Sequence, residues 1–78
     1  MGGSRVTELE DEMFEVRRES FQHIDEVLIH LAANAPDGSR AAITRELLSK
    51  GLRRDEGVIA NLYEIRKVAE QRIAARSG

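Results

Sequence analysis

Two histidines and a line of carboxylates are the residues of this chain best suited to chemistry. Glu12, Glu19, His23, Glu26 and His30 fall along one edge of the first helical segment, and Glu19–His23 and Glu26–His30 are i,i+4 pairs, close enough on one face to share a cation. A dimer would bring two such edges together, the way carboxylate-bridged metal sites are assembled inside bundles. Those sites use Glu-x-x-His at i,i+3, whereas here only His23 and Glu26 stand three apart, in the reversed order. A solvated acidic edge held by ordinary helix pairs accounts for the same residues. No metal ligand and no cofactor is therefore assigned. Cysteine is absent, which excludes thiolate nucleophiles and disulfides. There is also no Gly-rich phosphate loop, no Walker pattern and no Ser/His/Asp order in a strand-turn-helix context.

A second constellation couples arginine to histidine. Arg18-x4-His23 and Arg17-x5-His23 are similar to the loosely spaced Arg…His pair of HEPN-type ribonucleases. The stretch from Leu47-Leu48-Ser49-Lys50-Gly51-Leu52 to Leu62-Tyr63-Glu64-Ile65-Arg66 likewise resembles part of some HEPN-related helical domains. Those domains continue into Arg-Asn and a downstream histidine. This chain instead reads Ala69-Glu70 and has no histidine after His30. No catalytic role is carried over, and the chain is read as a non-enzyme.

A nucleic-acid reading rests on residues 40–75. Leu47, Val58, Leu62 and Ile65 have the spacing of a helix, a Gly-containing turn and a recognition helix. On that alternative Arg53 and Arg54 meet phosphates or bases, with Arg66 and Lys67 farther along. Against it, Asp55 and Glu56 open the recognition helix with charge that repels DNA, and any two packed helices give this spacing.

The elements that must position these residues are helices. Thr7-Glu8-Leu9-Glu10 fits a capping box, and residues 1–6 read as a leader. Leu9, Met13, Val16, Ile24, Val27 and Leu31, flanked by Phe14, Phe21 and Leu28, form a wide apolar arc that predicts one helix over 8–33. Its register slips between Val16 and Ile24. Asn34 suits a left-handed C′ position, and Pro36 forbids continuation. A second helix is expected over 39–50, capped by Asp37 or Ser39 and ended by Gly51 in a Schellman motif that pairs Leu47 with Leu52. A third, over 55–75, carries Val58, Leu62, Ile65, Ala69 and Ile73. No targeting signal or membrane span is evident, and a cytoplasmic protein is expected.

A first helix of 26 residues, close to 40 Å long, offers more apolar surface than two shorter helices could cover. The expectation is an all-α bundle of three helices completed by dimerisation, with Leu9, Met13, Phe14, Val16, Arg17, Phe21, Ile24, Val27, Leu28 and Leu31 at the interface. Arg17, inside the arc, either snorkels or pairs with an acid across that interface. Charge is divided: residues 1–38 hold three basic and nine acidic side chains, a net −6, and residues 39–78 nine and five, a net +4. Internal attraction between the halves explains the division most simply; an acidic partner is the functional alternative. The function expected is a self-associating, non-catalytic protein–protein interaction module.

Overall fold

A computed structural model describes residues 4–77, and within them the chain forms four helices: α1 (Ser4–Ser20), α2 (Glu26–Asn34), α3 (Arg40–Ser49) and α4 (Glu56–Ser77). The fold is all-α, as expected, but the single long first helix is two. The expectation of three helices is corrected accordingly. α1 begins inside the stretch read as a leader, whose residues 1–3 lie outside the described residues. Thr7 is therefore an interior helical residue, and Glu10 turns to another partner.

The break between α1 and α2 has a local cause. Asp25, extended at φ −66° and ψ 144°, accepts from the Val27 amide at 3.0 Å and caps a new helix. Ahead of it the Ile24 amide donates to the Phe21 carbonyl at 3.0 Å, closing a turn, and the Gln22 side chain covers the Arg18 carbonyl at 2.9 Å. The register slip between Val16 and Ile24 is the trace of this turn in the sequence. A straight helix could not send Val16, Ile24 and Ile29 to one core; the turn does, and all three are buried.

The later boundaries follow their caps. The Ser39 hydroxyl oxygen accepts from the Ala42 amide at 3.0 Å to start α3. Gly51, at φ +81°, and Leu52 end it: their amides donate to the carbonyls of Leu48 and Leu47 at 3.0 and 3.1 Å, the paired bonds of a Schellman motif. Asp55 starts α4 by accepting from the amides of Gly57 and Val58. Asn34 departs from expectation. It is the last residue of α2, Ala35 after it is extended, and among the described residues no non-glycine residue has a positive φ.

One core joins all four helices: Met13 and Val16 from α1, Ile29, Ala32 and Ala33 from α2, Ala42, Ile43 and Leu47 from α3, and Ile59, Leu62, Ile65 and Ala69 from α4, with Ile24 from the first turn. α1 and α4 run antiparallel, since Glu19, Glu12 and Glu8 meet Arg72 and Arg76 in reverse order. The acidic helix thus lies beside the basic one, the internal reading of the divided charge. No helix among the described residues is long and apolar enough to cross a membrane.

Candidate functional site

The acidic edge does not converge on a cation. Glu12 and Glu19 face α4: Arg72 grips Glu19 in a two-pronged contact at 2.6 and 3.1 Å, and Arg76 reaches Glu12 at 2.8 Å. The Arg72 contact holds the Glu19 carboxyl below its ordinary range and raises the guanidinium above its own. His23 meets Asn61 of α4 at 3.1 Å. His30 joins α2 to α1, with Nδ1 2.9 Å from Glu10 and its ring edge-on to Phe14 at 5.4 Å. The bond to Glu10 holds the imidazole above its ordinary range, assisted by the charge of Glu26, 3.7 Å from Nε2. Among the described residues no group of three or more His, Cys, Asp or Glu side chains is placed to hold a metal ion.

The arginines of the Arg–His spacing are also spoken for. Arg18 pairs with Glu15. Within the protomer Arg17 lies over the Phe14 ring at 5.2 Å and donates to the Ile24 carbonyl at 3.1 Å. It fastens the turn that separates α1 from α2.

The nucleic-acid candidates are dispersed. Arg66 is buried at 7% exposure and donates to the Ala32 and Ala35 carbonyls at 2.6 and 3.1 Å, with its Nε on Glu70 at 2.9 Å. It closes the end of α2 from across the core and presents nothing to a phosphate. Lys67 lies over the Tyr63 ring. Arg54 bonds Glu56 at 2.6 Å, and Glu56 also meets Arg40 at 3.6 Å. Arg53 is exposed.

Of the residues placed at a dimer interface, Met13, Val16 and Ile24 are sealed within the protomer, and Leu9, Phe14, Arg17, Phe21, Leu28 and Leu31 are partly buried by it. Val27 alone among them is well exposed, at 57%. The turn folds the expected rod over itself, so the surplus apolar surface from which dimerisation was inferred is sheltered from within.

Besides Val27 and Val6, two leucines close together in the chain are exposed. Leu48 and Leu52, at 46% and 37% exposed, flank the end of α3. Leu52 lines an open groove with Leu28, Leu47, Val58 and Arg53; Leu48 lines its neighbour with Ala41, Arg40 and Arg45, and Arg54 and Glu56 stand between the two. Sequence reading treated Leu52 only as a capping partner. The signal it passed over is Leu48, a leucine beside the buried Leu47 on a two-sided helix, set among Arg45, Lys50, Arg53 and Arg54. Comparison with protein-family models, with characterised proteins and with solved structures gives no match.

Proposed function

We propose that this chain is a non-catalytic interaction module that recognises another polypeptide through the α3 edge. One contrast carries the reading. The side chains capable of chemistry are spent on fastening helices to one another, whereas Leu48 and Leu52 stand in water beside two grooves. Self-association, if this edge drives it, runs through α3 and not through α1.

Photo-crosslinking in the producing cells tests the proposal. A photoreactive residue at Leu52 or Leu48 is expected to give discrete protein adducts that the same residue at exposed Gln71 of α4 does not. Sedimentation at several concentrations separates an adduct with a second copy from one with a different chain. Identical adducts from all three positions, or none from any, would refute the module.

A further inference from the structure

We infer that the α3 edge takes an acidic amphipathic helix, its apolar stripe on the leucines and its carboxylates on the surrounding cations. The inference rests on the module reading above and adds the chemistry of the partner.

Charge sets the edge apart from the rest of the molecule. Residues 39–56 carry Arg40, Arg45, Lys50, Arg53 and Arg54 against Glu46, Asp55 and Glu56, a net +2 in a chain whose total is −2. Elsewhere the bases are largely neutralised: Arg72 and Arg76 by Glu8, Glu12 and Glu19, Arg66 by Glu70 and Arg18 by Glu15. The two carboxylates in the groove beside Leu52 are committed. Asp55 accepts the first amides of α4, and Glu56 lies between Arg54 and Arg40. Arg53 is exposed in the groove beside Leu52 and Arg45 in the groove beside Leu48.

Shape and polarity then separate the macromolecules that positive charge alone would admit. A nucleic-acid backbone has no apolar face to lay on Leu48, Leu52, Leu28 and Val58, and pressing its phosphates against them would desolvate charge with no partner in return. A helix with apolar residues at i, i+3, i+4 and i+7 fills such grooves, and acidic flanks place its carboxylates over guanidinium groups suited to two-pronged pairing. Opposed charge also steers encounter and rejects basic helices.

The test presents two display libraries of helical segments to the intact protein. They share randomised apolar stripes; one has Asp/Glu flanks and the other Lys/Arg flanks. The acidic library is expected to yield binders that shift backbone NMR signals of Leu28, Leu52, Arg53 and Val58. Arg53→Glu and, separately, Leu52→Ser are expected to weaken them roughly tenfold or more. Both positions are exposed, and unchanged circular dichroism keeps a loss of binding distinct from a loss of fold. Equal enrichment of the basic library, no enrichment of either, or an unspecific DNA duplex that shifts the same signals and displaces the acidic binders would overturn the inference. Should the acidic library fail while Leu52 still gives adducts in cells, the partner chemistry falls and the module stands; should both fail, both fall.

Discussion

Arg66→Met removes a guanidinium from the core while leaving most of the aliphatic stem in place. The structure sets the size of the effect. Hydrogen bonds to a charged donor are worth about 1.5–3 kcal/mol each, and Arg66 gives one to each of two carbonyls. The Ala32 carbonyl keeps a second donor, the Ala35 amide at 3.3 Å, so only the Ala35 carbonyl is fully orphaned. The low end of the range is therefore appropriate, about 3 kcal/mol for the pair. Glu70 is 46% exposed and rehydrates when its partner leaves, adding little. A domain of this length has roughly 4–12 kcal/mol in total, so the variant loses a large share, and its melting point should fall by about 12–24 °C. Arg66→Lys keeps a charged nitrogen with three donors in place of the single Nη1 that meets both carbonyls, but loses the Nε bond to Glu70 and the fixed fork geometry, and should lose about half as much. Thermal and urea melts followed by circular dichroism measure all three proteins, with Glu70→Gln as the control expected to cost under about 1 kcal/mol. A melting curve for Arg66→Met within about 0.5 kcal/mol of the parent would mean that water replaces the guanidinium, and the clasp would have no energetic content.

Four further outcomes are expected. A Cβ at Gly38 would stand 3.2 Å from Glu70 Oε1 and 3.3 Å from Arg66 Nε. Gly38→Ala should cost about 1 kcal/mol, and most of that should vanish when it is combined with Arg66→Met in a double-mutant cycle. Gly51→Ala places a side chain at φ +81° and should cost about 1 kcal/mol, with Gly51→Asn costing less, because its surroundings are open and only the backbone objects. Asp25→Ala should cost about 1 kcal/mol and raise hydrogen exchange at Val27. His30 is held above its ordinary range. Its added stability is complete below the unfolded value near 6.5 and is lost as pH rises through the higher folded value. Melts of the parent and of His30→Gln should therefore diverge in mild acid and converge in mild alkali; parallel pH profiles would refute the Glu10–His30 contact.

Features written into a few adjacent residues were legible in the sequence. The Schellman end of α3 needs only Leu47, Gly51 and Leu52, and the cap at Ser39 needs only its own neighbours. The turn between α1 and α2 was harder to read, because apolar residues continue on both sides of it and favour an unbroken helix. Asp25 and the slip between Val16 and Ile24 record the turn, but its direction depends on a core that only the folded chain supplies. Arg66 left a clue of the same kind. It stands four residues after Leu62 and three before Ala69, inside the apolar stripe of α4, as Arg17 stands inside that of α1. Spacing marks both as facing inward. It says nothing of the carbonyls they answer, which come from distant or irregular chain. The α3 edge was obscured for the opposite reason: exposure of Leu48 and Leu52 is a property of what fails to cover them.

The bond from Arg66 to the Ala32 and Ala35 carbonyls joins residues more than thirty positions apart. α2 has nine residues, well short of the length at which an isolated helix persists in water. Its C-terminal turn is completed by a side chain synthesised long after it. A truncated chain that stops ahead of residue 66 would therefore not leave a smaller bundle. Translation must deliver most of α4 before the earlier segments have a stable shape to adopt, and a ribosome-bound fragment lacking it should remain open to protease along its whole length.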